Sequence, residues 1–536
     1  MNAGRAQLES GAASPSGNNG AFGTSLADET GTSHIVRSIG VNTLYQIVAQ
    51  VAPAIAAIAG IPILVRHLGP EAYGVVTLFS TALVYFAMLD LGLGRATTRF
   101  VAQSMEAGQP QDVSRYFWSS LLLLSVAGVI VALCFALAVP ALVSHYLKIP
   151  PGYTRPATQC FYLICVSIPL VTMTAGLRGL LEAAGRFPFL SAVTAATGAG
   201  MYVAPVLVVM TGGALVSIAA TYVGLRVAMA IAFAIGCRYV RDRPSLRPTI
   251  DWKALRRMLS FGGWLSVSNV IGTAMVYGDR FLLGSFVGMV AVTSYSMPLD
   301  VIGRMQIVTT SFCAVLFPLL SRLDGAGSGR FHYVYRGALA LVLSLITPLI
   351  IGAILLSPFL MKIWLRERNT AEAVFAAQVF LAGSIVQAMA SISFTALHAR
   401  GRSDLTAWVH IAEFPAYCVA FFWAATHFGV RGAALVWFGR VIVDFTCMVA
   451  LLRTQKRSSR LLISPELAAI LTSITVLGAA LFHPTNTFLL GTFICLLTWL
   501  WTWRAMLDSH MRARVARALY SPVSTFFWIF GADRLG

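Results

Sequence analysis

Nine ionisable residues lie within long apolar stretches of the chain: Asp90, Arg226, Asp279, Arg280, Asp300, Arg304, Glu413, Arg440 and Asp444. A charge in such surroundings costs about 3 kcal/mol or more, so each is a candidate for binding or charge transfer. The arginines suggest a specific chemistry. A guanidinium offers a planar fork of donors that matches phosphate or carboxylate. Arg226, Arg280, Arg304 and Arg440 are therefore the candidate cavity residues for an anion. Asp90, Asp279, Asp300, Glu413 and Asp444 are their candidate charge partners, or steps on the path of a coupling ion.

Helical spacing offers a plainer use for some of them. Residues three or four apart share a helix face and can neutralise one another. Asp300 and Arg304 are four apart, as are Arg440 and Asp444, and Arg178 and Glu182; His410 and Glu413 are three apart. Each is a candidate local pair. Arg226 has no acidic residue within a turn, in "ATYVGLRVAMAIA". It must face an anion, a water-lined cavity or a carboxylate on another helix, with Asp90 one such partner. Asp279 and Arg280 are neighbours and point about 100° apart on a helix, so they serve different surroundings.

Other chemistries fail on spacing. "LDLGLGRATTRF" (89–100) looks like part of a phosphate loop, but it follows an apolar helix rather than a strand, and Thr97 stands where the third glycine belongs. No GxxxxGK[ST] sequence occurs, which argues against direct ATP hydrolysis. The eight cysteines are scattered with no CxxC pair, and His410-x-x-Glu413 supplies too few ligands for zinc. No cofactor and no metal is expected. A membrane glycan polymerase or ligase would need catalytic carboxylates or a large external loop, and neither is evident.

The elements that position these residues follow from composition. Hydrophobic residues make up 57% of the 536, and charged ones 11%, against about 25% in a soluble domain. A spanning helix needs about 20 largely apolar residues. Such segments occur at 42–65, 74–97, 117–143, 157–181, 187–210, 213–236, 260–284, 291–317, 337–362, 373–397, 405–426, 432–452, 464–483 and 486–503. The expected fold is all-α and polytopic, with about fourteen transmembrane helices.

Charge orients them. With the N-terminus in the cytoplasm, and counting Arg95 at the inner end of the second span, the tails and inside links hold 27 of the 39 Lys and Arg, the outside links hold 7, and 5 lie within spans. That asymmetry predicts both termini on the cytoplasmic side. It also explains the net charge of +18 without nucleic acid, because outside 238–257 the basic residues sit in short links. Residues 1–36 lack an apolar signal core and read as a disordered tail. The basic C-terminal stretch 504–536, with Arg512, Arg514 and Arg517, suits anionic membrane lipid.

An internal repeat divides the chain. Gly69 corresponds to Gly288, Gly185-Arg186 to Gly401-Arg402, and Gly213 to Gly432, at offsets of 219, 216 and 219. The offset covers six spans, so both copies run the same way. This predicts a six-helix bundle at 37–236, a basic linker at 237–259, a second six-helix bundle at 260–452 related by a parallel pseudo-two-fold repeat, and an extra hairpin at 453–503. A cavity between two such bundles is the natural substrate site.

Three blocks carry a family resemblance: "LGPEAYGVVTLFSTALVYFAMLDLGLGRATTRFVAQ", "DRFLLGSFVGMVAVTSYSMPLDVIGRM" and "ARGRSDL…GVRGAALVWFGRVIVD". Over about residues 37–460 the chain resembles the polysaccharide-transporter, Wzx-type branch of the multidrug/oligosaccharidyl-lipid/polysaccharide exporter superfamily. The resemblance implies a flippase for a lipid-linked oligosaccharide in the bacterial inner membrane, working by alternating access, with H+ or Na+ as a coupling ion. An ion-coupled drug antiporter of the same fold is the alternative.

Overall fold

The computed structural model describes residues 23–87, 92–240, 250–324, 328–366 and 370–454, with six single positions beyond. Side chains are described from Ala49, except at 261–271 and at 324–329. All regular structure among the described residues is helical: α1 (Gly23–Ala87), α2 (Leu93–Glu106), α3 (Pro110–Ala141), α4 (Pro151–Ala183), α5 (Phe187–Met210), α6 (Leu215–Arg238), α7 (Trp252–Phe286), α8 (Met289–Asp324), α9 (Ser328–Leu365), α10 (Ala371–Ala399) and α11 (Ser403–Thr454). A short π-helical turn, Leu142–Tyr146, ends α3.

Nine helices among the described residues are long and apolar enough to cross a membrane. Two of them, α1 and α11, are broken inside by a glycine with non-helical backbone, Gly69 and Gly429. The halves of α11 fold back on each other, since Arg440 lies over the Tyr417 ring and His410 meets Asp444. The burial pattern inverts that of a soluble protein. Leu137, Val166, Leu349 and Val419 are 64–83% exposed, while Asp279 and Arg280 are 1% and 6% exposed. Apolar side chains that would be unfavourable in water face hydrocarbon instead, so this is a multi-pass membrane protein.

The repeat has a backbone signature. Gly69 and Gly288 have φ of 82° and 127°, Gly185 and Gly401 of 68° and 70°, and Gly212 and Gly429 of 80° and 60°. Each pair ends or breaks helices at equivalent links. Only glycine adopts this conformation without a steric penalty, which is why the first two pairs carried the sequence repeat, while the third lies just before the matched Gly213 and Gly432.

Two predicted boundaries change. The segment 74–97 was expected as one span, but α1 stops at Ala87 and α2 starts at Leu93, after Gly92 at φ 63°. Gly92 takes a left-handed turn that a helix interior cannot hold. Arg95 and Arg99 therefore ride on α2, which runs through much of the expected 98–116 link. The end of the 237–259 linker is also helical, because Asp251 caps α7 by accepting from the Lys253 N–H at 2.8 Å. Asp90 lies outside the described residues, as do the expected spans 464–483 and 486–503 and the 504–536 tail apart from the six single positions.

One continuous apolar core joins the two halves, running from Leu78 and Leu83 of α1 to Leu283 of α7 and Tyr295 of α8. Close approach is built from small residues, as is usual between helices in a membrane. A Cβ at Gly74 would sit 2.3 Å from the Met289 carbonyl oxygen, so only glycine allows α1 that near α8.

Candidate functional site

The polar groups buried between the halves centre on Arg280. This residue sits on α7, one position after Asp279, and the helical turn sends the two side chains different ways. The Arg280 Nη2 donates to Asp300 Oδ1 at 2.5 Å, and Nη1 donates to the Thr81 hydroxyl at 3.0 Å. Thr81 lies on α1, so the second bond crosses between the halves. The guanidinium also lies 5.4 Å from the centre of the Tyr277 ring. Its Nε is buried without an acceptor among the described residues.

Asp279 is spent locally. One oxygen accepts from the Tyr295 hydroxyl at 2.6 Å and the other from the Arg280 backbone N–H at 2.8 Å. Two donors thus fix the orientation of this buried carboxyl group.

Arg304 lies one turn beyond Asp300 on α8 but does not pair with it. It donates to the Tyr202 hydroxyl of α5 at 2.8 Å and covers the Tyr202 ring at 5.5 Å, a second bond between the halves. The local pairing expected for Asp300 and Arg304 thus gives way to Asp300 with Arg280. Both partners are reached through tertiary packing, where geometry outweighs an i,i+4 contact worth a few tenths of a kcal/mol. Tyr73, Tyr202 and Tyr222 stand close enough to Asp300 to sense its charge. Arg226 is one helical turn from Tyr222 on α6, and its Nε is buried without an acceptor among the described residues. The region therefore sets two guanidiniums, Arg280 and Arg304, in polar contact across the halves, beside the carboxyl groups of Asp279 and Asp300.

Arg440 lies elsewhere. Between the halves of α11 is a cavity of about 790 Å³, lined by Trp423, Phe428, Leu435 and Val436, with Glu413 and Arg440 at its polar end. Asp444 is 3.3 Å from His410 Nε2, and Arg440 lies 5.4 Å from the Tyr417 ring centre. Neither Glu413 oxygen has a hydrogen-bond partner among the described residues. The expected local pairs, Arg440 with Asp444 and His410 with Glu413, are replaced by contacts across the two limbs of α11. Arg178 and Glu182 do pair as their spacing indicates, at 2.7 Å. No group of three or more His, Cys, Asp or Glu that could hold a metal occurs among the described residues.

Aromatic rings connect the two regions. Tyr295, which holds Asp279, meets Phe421 edge-on at 6.2 Å, and Phe421 meets Tyr417 at 5.6 Å. The sequence reading missed these neutral partners, namely Thr81, Tyr202, Tyr295 and Tyr417. A Tyr or Thr in a span carries no charge to mark it, and only the contact with an ionised group reveals its role.

Contacts between the halves also gather at the end formed by the Gly69, Lys148 and Gly288 links. The Lys148 N–H donates to the Gly284 carbonyl at 2.9 Å and its Nζ to the Phe286 carbonyl at 2.6 Å. Thr293 donates to the Pro70 carbonyl, Arg66 to the Trp364 carbonyl and Trp364 to the Ile58 carbonyl, at 2.5, 2.6 and 2.7 Å. Near the other end, the Asp251 N–H donates to Ser119 at 3.0 Å, and Met258 packs with Leu93, Ala96 and Leu124.

Repeated helical halves with buried charge between them define a polytopic membrane protein of the transporter type. Its backbone is similar to an inward-facing multidrug resistance MATE family transporter of the MOP superfamily, with a TM-score of 0.63 and 14% identity, covering 81% of this chain and 99% of that one. It is similar also to the lipid II flippase MurJ in its inward closed conformation, with a TM-score of 0.65 and 11% identity, covering 86% and 97%. At these identities the likeness is one of fold. Residues 39–324 match the family described as polysaccharide biosynthesis protein, and the chain belongs to that family. A relative in Shigella flexneri, a putative O-antigen transporter, is 29% identical over 409 residues, covering 76% of this chain and 96% of the relative.

Proposed function

We propose that the protein is a flippase that carries a polyprenyl-pyrophosphate-linked oligosaccharide across the bacterial inner membrane. The cargo would be a repeat unit of O-antigen, capsule or exopolysaccharide. The observation that carries this reading is the pair of guanidiniums held between the halves, Arg280 on Thr81 and Arg304 on Tyr202, with buried Nε atoms on Arg280 and Arg226 that lack an acceptor among the described residues. A diphosphate is the anion such groups suit, and an organic cation would be repelled by them. The family and the Shigella flexneri relative support a saccharide cargo.

Transport would proceed by alternating access. With both termini cytoplasmic, the Lys148–Gly284 and Arg66–Trp364 contacts lie at the outer end, so the conformation described is closed outward. The head group would enter from the cytoplasm, settle on the arginines, and leave once the outer contacts part. The lipid tail would stay in the bilayer. A coupling ion, H+ or Na+, would supply the energy, and Glu413 and Asp444 are the carboxylates we assign to it.

Deleting the gene and extracting the lipid-linked sugars tests this. Accumulation of a polyprenyl-pyrophosphate oligosaccharide, relieved by the wild-type gene and not by Arg280→Ala, is the expected result. Export of organic cations that survives loss of Arg226 and Arg280 would instead favour the drug antiporter.

A further inference from the structure

We infer that Asp300 is an internal stand-in for the anionic head of the cargo, holding Arg280 in the empty protein and exchanged for the diphosphate on binding. This rests on the reading of the cargo as an anionic lipid-linked sugar.

The two partners of the ion pair are held unequally. The Arg280 side chain is 7% exposed and is fixed by Thr81 and by the face of Tyr277 as well as by Asp300. The Asp300 side chain is 21% exposed, and among the described residues Arg280 is its one hydrogen-bond donor. An anion arriving between the halves can therefore replace the carboxylate without disturbing the guanidinium. Asp279, clamped by Tyr295 and by the Arg280 N–H, has no such freedom.

The hydrogen-bond count supports exchange. Asp300 takes one Nη of Arg280 with one oxygen and leaves the buried Nε without an acceptor. A phosphate group can accept from Nε and Nη2 together, the forked arrangement that arginine makes best. The cargo would thus satisfy a donor that Asp300 does not. The displaced carboxylate is not stranded, because Arg304 lies one turn along α8 at the spacing where ion pairs form. Arg304 has only a neutral acceptor, the Tyr202 hydroxyl, among the described residues. Binding would then draw on Arg304 as well and weaken its tie to the opposite half.

The test is equilibrium binding of radiolabelled inorganic pyrophosphate to the full-length protein in lipid nanodiscs. Asp300→Asn removes the competing charge and is expected to bind pyrophosphate at least ten-fold more tightly than wild type. Asp300→Ser carries the same expectation, should the asparagine variant fail to fold by gel filtration. Asp300→Glu should remain close to wild type. Adding Arg280→Ala to Asp300→Asn should abolish the gain. Affinity that is unchanged or weaker in the neutral variants overturns the exchange, as does a gain that survives loss of Arg280. The cargo reading is scored separately by lipid-linked sugars in the deletion strain. Their accumulation alongside unchanged pyrophosphate binding removes the exchange alone, and tighter binding without accumulation removes the cargo reading alone.

Discussion

The Arg304 guanidinium donates to the Tyr202 hydroxyl at 2.8 Å and covers the same ring at 5.5 Å, so one side chain of α8 is tied to α5 in two ways. The two ties can be separated. Tyr202→Phe keeps the ring and loses the acceptor, and a hydrogen bond between membrane helices is worth about 0.6 kcal/mol. Export should fall only a few-fold. Tyr202→Ala loses both contacts and leaves a cavity, and export should fall by at least ten-fold. Glycan export in the complemented deletion strain checks the order.

Arg226 distinguishes an anion site from a structural ion pair. Its Nε is buried with no acceptor, and no carboxylate pairs with it, among the described residues. Arg226→Ala should abolish export and leave the melting temperature equal or higher. Removing one partner of a buried ion pair would instead lower stability by about 3–5 kcal/mol. Thermal melting of purified protein, read beside export, decides between the two.

At Gly74 the approach of the halves depends on a missing side chain. Gly74→Val would place carbon against the Met289 carbonyl oxygen, where even a Cβ comes to 2.3 Å. Overpacking of this kind costs about 1–3 kcal/mol. The end bound by Lys148 and Gly284 should then open more often. A cysteine introduced at Ser285 should react faster with a membrane-impermeant thiol reagent in the Gly74→Val background than in wild type.

The repeat predicts paired effects. Gly185 and Gly401 have φ of 68° and 70°, and an added Cβ meets nothing within 4 Å at either. Alanine at each should therefore cost only the left-handed backbone term, about 1–2 kcal/mol. The two melting temperatures should fall by similar amounts, although the residues lie in different halves.

Asp279 is a structural group on this geometry. Tyr295→Phe removes one of its two donors and should lower stability by about 1–3 kcal/mol, the cost of a buried acceptor left short. Asp279→Ala, which also strips the Tyr295 hydroxyl of its acceptor, should be worse, and its yield from membranes should fall sharply. Yield and melting temperature are the measurements.

Much of the architecture was legible from the chain. Apolar length marked the helices, because a bilayer accepts few other sequences. The link glycines marked the repeat, because a left-handed turn recurs wherever two copies of a bundle end their helices alike. Arg178 with Glu182 was readable because both sit on one helix. The break before Leu93 was harder to see, since hydropathy continues through it and only the conformation of Gly92 reveals the turn.

The charged site divides along the same line. Sequence alone determined which residues carry an unusual cost, since a charge in an apolar span is conspicuous whatever its surroundings. It could not assign their partners. Asp300 and Arg440 each had a correctly spaced neighbour on their own helix, yet Asp300 pairs with Arg280 and Arg440 lies over Tyr417. It also grouped Arg440 with the other arginines, whereas packing places it in the α11 cavity beside Glu413. The physical reason is one of competition. Pairs along a helix are weak and fixed by spacing, while a buried guanidinium takes the best set of acceptors that the surrounding helices offer, and only the tertiary structure decides what those are.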